Sequence, residues 1–329
     1  WLYLAHGSAP LVEAAFFGVR AAVVAFVIEA LIRISKRALK SRADYWIAFT
    51  SFAALTLVAV PFPLIIIAAA IIGAFLIKRT TPTADALAPA RQPPAAQSLR
   101  AAALWLVAWL APLGASFAAV GPDHVLSRVG ALFAKLAIVT FGGAYAVLSY
   151  LRQQAVEVEG WLSPQQMIDG LGLAETTPGP LVLVNQFVGY VAGWQAEGGG
   201  APLALLAALM ATWMTFAPSF LWIFAGAPYA EGLRRNARAS AALAAITAAV
   251  LGVVANLAFW FAAHVLFAKT GAVTLPWGAR LDLPAPASFD VAALLICAAT
   301  AIALIRFHAN AIIVVVAAAI AGVALQARF

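Results

Sequence analysis

The chain has 329 residues, 64% of them hydrophobic and 10% charged, with a formal net charge of +7. A soluble domain carries roughly a quarter charged residues, and at a mean hydropathy of +0.96 the apolar surface exceeds what one core can bury, so lipid must cover the surplus. The basic residues sit in short loops between apolar runs, which encodes membrane orientation and argues against nucleic-acid binding, and a single cysteine, Cys297, excludes an internal disulfide framework or a multi-cysteine metal site.

Apolar runs near the roughly 20 residues that cross hydrocarbon fall at 12–34, 44–60, 63–77, 101–120, 126–150, 201–226, 240–267, 288–306 and 310–326. A further run at 165–194 is apolar but interrupted. The expected fold is an all-α polytopic membrane protein of about ten membrane segments. Pro61, Phe62 and Pro63 alone join two of the runs, which predicts a tight helical hairpin, and Arg306 with His308 reads as an interfacial turn. The segment 80–100, rich in Ala, Pro and Thr, reads as a flexible cytoplasmic linker. Basic clusters at Arg33–Arg42, Lys78–Arg100 and Arg234–Arg238 all fall on the cytoplasmic side if 165–194 crosses once.

Residues 12–77 resemble residues 239–326. Arg20-Ala21-Ala22-Val23-Val24 aligns with Thr247-Ala248-Ala249-Val250-Leu251, which places Glu29 on Asn256. Ala68-Ala69-Ala70-Ile71-Ile72-Gly73 aligns with Ala317-Ala318-Ala319-Ile320-Ala321-Gly322. With the orientation above the first copy runs inward and the second outward, so the copies are expected to be inverted-topology repeats. Residues 126–226 precede the second copy, whereas eleven residues precede the first, so the first repeat is expected to be incomplete, lacking an N-terminal part.

The stretch 136–194 carries the chemistry. Phe141-Gly142-Gly143 interrupts one apolar run, and Thr176-Thr177-Pro178-Gly179-Pro180 interrupts the next, directly after Glu175. A membrane helix can lose backbone hydrogen bonds only where protein or trapped water replaces them. Pro178 and Pro180 lack the backbone donor, and Gly179 reaches conformations closed to other residues. Half-helices over 165–175 and 181–194 are therefore expected, and the one starting near Leu181 would point its N-terminal amides at an oxyanion. A proline kink or a surface Gly-Pro loop is the competing account, weakened by the polar run of Glu175, Thr176, Thr177, Asn185 and Gln186. Ionisable residues inside spans tend to be functional. Arg20 and Lys135 are candidate anion ligands, and Glu29 and Glu175 candidate proton carriers, although Arg20 can instead pair with Glu13 or Glu29, and Lys135 can snorkel. Trp213, Trp222, Trp260 and Trp277 read as interfacial or packing aromatics.

Together Phe141-Gly142-Gly143-Ala144-Tyr145-Ala146-Val147-Leu148, Gly160-Trp161-Leu162, Asp169-Gly170-Leu171, Leu173 through Pro180 and Gln186-Phe187-Val188-Gly189-Tyr190 resemble the chromate ion transporter family in its long, two-domain form. Ala227-Pro228-Tyr229 with Glu231 and Leu233, and Ile246 through Val250, extend the resemblance, while Ser149 departs from the family's proline. The resemblance implies two homologous domains, each with a Phe-Gly-Gly and a Pro-Gly-Pro segment. This chain has one of each, and so divides into the C-terminal part of a first domain (1–79), the linker (80–100) and a second domain (101–329).

The resemblance further implies secondary transport of a divalent tetrahedral oxyanion in the bacterial inner membrane, with chromate exported to give resistance. Sulfate uptake on the same fold is the alternative. The anion would sit among Phe141, Gly142, Gly143, Glu175, Thr176, Thr177, Pro178, Gly179, Pro180 and Gln186, with Arg20 or Lys135 offsetting its charge. A membrane-embedded enzyme or structural subunit is the rival of another class. His6, His124, His264 and His308 are scattered, and no phosphate loop of the Gly-x-x-x-x-Gly-Lys-Ser/Thr type supports primary pumping. The expected partners are chromate or sulfate and the lipid bilayer, with a homo-oligomer left open, no nucleic acid, and neither metal nor cofactor.

Overall fold

A computed structural model describes residues 1–7, 9–76, 95–139, 144–177, 180–226, 236–274, 276 and 280–326. A short α1 (Leu2–His6) precedes α2 (Pro10–Ala38), α3 (Arg42–Val58) and α4 (Phe62–Leu76). After residues outside the description come α5 (Ala95–Val120) and α6 (Val125–Val139). Next are α7 (Ala144–Arg152), a π-helical turn (Gln153–Val158), α8 (Pro164–Thr176), a 3-10 turn (Leu181–Leu183) and α9 (Val184–Gln195). The chain continues through α10 (Ala201–Leu221), extended by a π-helical turn (Trp222–Gly226), then α11 (Ala237–Leu266), strands β1 (Thr270–Thr274) and β2 (Arg280–Pro284), α12 (Val291–Phe307) and α13 (Ala311–Gln326).

The all-α membrane architecture stands, with helices of unequal reach. Among the described residues four helices are long and apolar enough to cross a bilayer: Pro10–Ala38, Ser98–Val120, Ala201–Gly226 and Ala237–Leu266. Three shorter apolar ones are Phe62–Leu76, Val291–Phe307 and Ala311–Gln326. Several entries are tied down by side chains. Ser41 and Asp44 form a capping box on α3, Ser163 and Gln166 one on α8 behind Pro164, and Asp290 accepts from the Ala293 amide at 2.9 Å to start α12. α2 begins on Pro10, with Glu13 in its first turn and Lys36 and Arg37 in its last, which suits the helix dipole.

Of the expected 126–150 span, α6 is described up to Val139 and α7 from Ala144. The 165–194 span is divided as expected, α8 stopping at Thr176 and regular structure resuming at Leu181. With 13 residues, α8 is about 20 Å long, short of the roughly 30 Å hydrocarbon core. α7, the π-turn and α8 therefore form a hairpin of half-helices. Helix α5 already covers 95–100 of the expected linker, and 80–94 lies outside the described residues. One element was not foreseen: β1 and β2 pair antiparallel, from Thr270 opposite Pro284 to Thr274 opposite Arg280. The hairpin satisfies backbone groups in the polar stretch between α11 and α12.

The described chain divides into two compact units that do not follow chain order: 1–62, 143–184 and 248–329, and 63–142 with 185–247. In the first, α2 is the central helix and packs against α12, α13 and α8. Its Ala21 through Ala25 are buried, as suits a helix surrounded by protein. In the second, α10 packs against α5 and α6. There the Trp109 indole donates to the Met214 carbonyl at 3.1 Å and the Trp213 indole to Ala108 at 2.9 Å. The 18-residue apolar window of α5 is only 11% buried, as befits a helix coated by lipid.

The internal repeat has structural counterparts. The two non-glycine residues with positive φ among those described are Ala59 (56°) and His308 (50°), the C-caps of α3 and α12. The register that aligns Ala68 with Ala317 also aligns these two. In both turns the cap amide and the one after it donate to equivalent carbonyls, of Ala54 and Ala303. The aligned glycines behave alike too. A Cβ at Gly322 would run into the Ala14 carbonyl and approach the Gly18 amide to 2.7 Å. One at Gly73 would meet the Ala241 carbonyl and the Ala245 Cβ at 2.6 Å. In the register that puts Arg20 on Thr247, Ala14 and Gly18 correspond to Ala241 and Ala245. The same helix crossing is thus built once in each unit.

Candidate functional site

Helices α7 and α8 start and stop at the two sequence interruptions. Thr140 through Gly143, and Pro178 with Gly179, lie outside the described residues, so the expectations for Phe141, Gly142, Gly143, Pro178 and Gly179 fall there. Their flanks are described, and they meet. The Tyr145 hydroxyl, at the start of α7, donates to a Glu175 carboxylate oxygen at 2.7 Å, near the end of α8. Helix α7 also contacts the 3-10 turn Leu181–Leu183 that follows Pro180. Tyr145 and Glu175, 30 residues apart and each beside one interruption, are therefore joined by one side-chain hydrogen bond.

Thr176 and Thr177 sit at this end of α8. Each hydroxyl donates to the Leu173 carbonyl at 2.8 Å, the back-bonding pattern that occupies a carbonyl left free where a helix stops. Their hydroxyl protons cap α8 in this conformation, so they would have to be released before they could donate to an anion. Pro180 is exposed.

Of the candidate cations, Arg20 has a defined carboxylate partner. Arg20 makes a bidentate pair with Asp169, Nε to Oδ1 at 2.7 Å and Nη2 to Oδ2 at 2.9 Å. The Tyr3 hydroxyl donates to the same carboxylate at 2.7 Å. Asp169 is fully buried and the Arg20 side chain is 23% exposed. Arg20 thus has a partner, and it is neither Glu13 nor Glu29. The fork geometry makes it a tight link between α2 and α8 rather than a free anion ligand. Lys135, on α6, is exposed and belongs to the other unit, as does the exposed Gln186. Next to Gln186, the Asn185 amide donates to Thr215 at 3.1 Å.

Glu29 and Arg33 project from α2 as an i,i+4 ion pair 3.6 Å apart, with side chains 31% and 57% exposed. Such a pair is worth only about 0.3–0.5 kcal/mol. Arg20 meets Asp169, and a Cβ at Gly172 would meet Val19 and Val23, so α2 and α8 advance in the same direction. The next turns of α2 therefore carry Glu29 and Arg33 toward Glu175 and its partner Tyr145. The cluster at the joined interruptions therefore holds two carboxylates, a phenol and a guanidinium. In the sequence Arg33 stands out only as part of a basic cluster, and Tyr145 and Asp169 only within motifs. Four-residue spacing from Glu29 was the available signal for Arg33.

At the far end of the same hairpin, Arg152 bonds to Glu157 and stacks 4.8 Å from the centroid of Trp260. The π-turn, with its i to i+5 periodicity, carries Glu157 onto the side of Arg152. Trp260 is a buried packing aromatic, as expected, while Trp213 and Trp222 are exposed and Trp277 lies outside the description.

The sequence profile of the family described as Chromate transporter matches residues 1–74 and 127–323 of this chain. The chain belongs to the chromate transporter family. It is 31% identical over 243 residues to a chromate transport protein of Pseudomonas aeruginosa, a match covering 73% of this chain and 53% of that protein. It is 26% identical over 283 residues to a chromate transport protein of Cupriavidus metallidurans, covering 84% of this chain and 61% of the relative. To a probable chromate transport protein of Synechococcus elongatus it is 25% identical over 259 residues, covering 78% and 59%. The chain thus spans between half and two thirds of the length of these relatives. No solved structure matches it. Family membership and the apolar helices make it a multi-pass protein of the bacterial inner membrane. The family match takes in α2, α7 and α8, the helices that carry the cluster.

Proposed function

We propose that this protein is a secondary transporter of a divalent tetrahedral oxyanion, that the anion is chromate, and that transport runs outward and confers resistance. The observation that carries the site is the Tyr145–Glu175 hydrogen bond, because it joins the flanks of the two interruptions. In this reading the anion lies between the Phe141-Gly142-Gly143 and Thr176-Thr177-Pro178-Gly179-Pro180 segments, where the chain after Pro180 directs its first amides. A dianion entering beside Glu29 and Glu175 meets like charge, so at least one carboxylate must take up a proton first. That requirement couples the anion to proton movement. The names of the relatives support chromate as the anion, and the lack of a phosphate loop in this sequence favours an ion-gradient-driven carrier over primary pumping. We further propose that residues 1–79 and 101–329 are parts of two homologous domains joined through 80–100.

The test is the chromate content of chromate-exposed cells expressing the protein, with and without excess sulfate. Wild-type protein is expected to lower chromate content relative to control cells. Gly179→Leu is expected to abolish the effect while the protein remains in the membrane. Raised sulfate or chromate content would show uptake instead, and wild-type behaviour of Gly179→Leu would remove the proposed site.

A further inference from the structure

We propose that Arg33 is the residue that receives the charge of the transported oxyanion, and that Glu29 is the resident counter-ion which the anion displaces. The proposal rests on the oxyanion reading above and deepens it by naming a ligand and a competitor.

Within the unit that holds the joined interruptions, Arg20 and Arg152 each already hold a carboxylate, although the buried Arg152 Nε has no hydrogen-bond partner. Arg20 is held in two short hydrogen bonds by Asp169, which has no solvent-exposed surface of its own. Arg152 is 7% exposed, bonded to Glu157 and covered by Trp260. Displacing either partner would leave a carboxylate without its cation, and for Asp169 a buried one. Arg33 differs in each respect. Its contact with Glu29 is a single ion pair at 3.6 Å, longer than a hydrogen bond, and its side chain is 57% exposed. The Glu29 carboxylate is itself 31% exposed, so it can turn to water when an anion takes its place.

Position also favours Arg33. It lies on α2 beyond the contacts of Arg20 with Asp169 and of Val19 and Val23 with Gly172. The shared direction of α2 and α8 carries these turns toward Glu175, whose bond to Tyr145 joins the interruptions. An anion seated there would face Arg33 and Glu29 from α2, Tyr145 from α7, and Glu175 from α8. The charge pair is particular to this helix. In the repeat register Glu29 and Arg33 correspond to Asn256 and Trp260 on α11, where the Asn256 amide donates to Thr56 at 3.0 Å and Trp260 packs under Arg152. Only the α2 copy offers an accessible cation with a replaceable carboxylate.

Equilibrium binding of radiolabelled sulfate, and of chromate, to the purified protein in lipid nanodiscs at neutral pH tests this directly. Arg33→Gln is expected to weaken binding of both anions at least tenfold, with Arg33→Lys intermediate because the fork geometry is lost. Glu29→Gln is expected to tighten binding several-fold, since the internal competitor loses its charge, and no loss of folding produces that sign. If the wild-type protein binds an oxyanion and Arg33→Gln binds it equally well, this assignment falls while the oxyanion reading stands. If Glu29→Gln weakens binding, the displacement model falls. If the wild-type protein binds neither anion, both readings fall together.

Discussion

Asp169 has no solvent-exposed surface and is flanked on α8 by Met167, Ile168, Gly170, Leu171, Gly172, Leu173 and Ala174, yet it is held in a bidentate pair with Arg20. Removing one member of such a pair is far more damaging than removing both, because the remaining charge stays behind in a poorly solvated place. Asp169→Ala is expected to cost about 3–5 kcal/mol, toward the lower figure because 23% of the Arg20 side chain reaches solvent. The Arg20→Met/Asp169→Leu double variant is expected to recover most of that loss. Thermal unfolding of the detergent-solubilised protein reads both, and equal destabilisation of single and double variants would show that the pair is not what matters. At this scale the sequence was a partial guide. Arg20 and Glu175 could be singled out because a charge inside an apolar run is conspicuous. The partner of Arg20 could not, since Asp169 lies 149 residues away and only the packing of α2 on α8 brings them together.

Small residues set how closely the helices approach. Gly73 and Gly322 occupy aligned positions on α4 and α13, and a Cβ at either would strike the backbone of the helix opposite. Gly114, on α5, has nothing within 4 Å of the same point. Gly73→Leu and Gly322→Leu are therefore each expected to destabilise the fold by about 1–3 kcal/mol or more, by similar amounts, while Gly114→Leu is tolerated. Thermal unfolding of the three variants side by side is the check. A large difference between Gly73 and Gly322 would mean that the two crossings are not equivalent. The break after Glu175 was legible in the sequence because Pro178 and Pro180 remove donors that a helix needs. The π-turn after Arg152 and the β1–β2 hairpin were not, because Gln153-Gln154-Ala155-Val156-Glu157-Val158 suits an α-helix locally and the strands are short and lie between two spans.

For the molecule as a whole, the two α-hairpin turns at Ala59 and His308 provide a test of orientation. Their local geometry is the same, but inverted repeats would place them on opposite sides of the membrane. In a Cys297→Ala background, Ala59→Cys is expected to react with an impermeant maleimide added to whole cells, and Asn310→Cys only after the inner face is exposed. Both wild-type positions are exposed in the structure. Labelling of both from one side would exclude the inversion while leaving the duplication intact.

Sequence alone determined the solvent of this protein, because 64% hydrophobic residues leave no alternative to lipid. It marked the break after Glu175 as well, because Pro178 and Pro180 remove backbone donors, although α5 and α10 run on through Pro112 and Pro218. It also exposed the repeat, since register survives in alanine and glycine spacing even when side chains diverge. Which charges neutralise each other was decided only by the tertiary structure, as with Arg20 and Asp169, because an ion pair across helices depends on which faces meet. So was the assembly of Tyr145, Glu175, Glu29 and Arg33 into one cluster. Those residues come from three helices, and their proximity is a property of the packing, which no local pattern encodes.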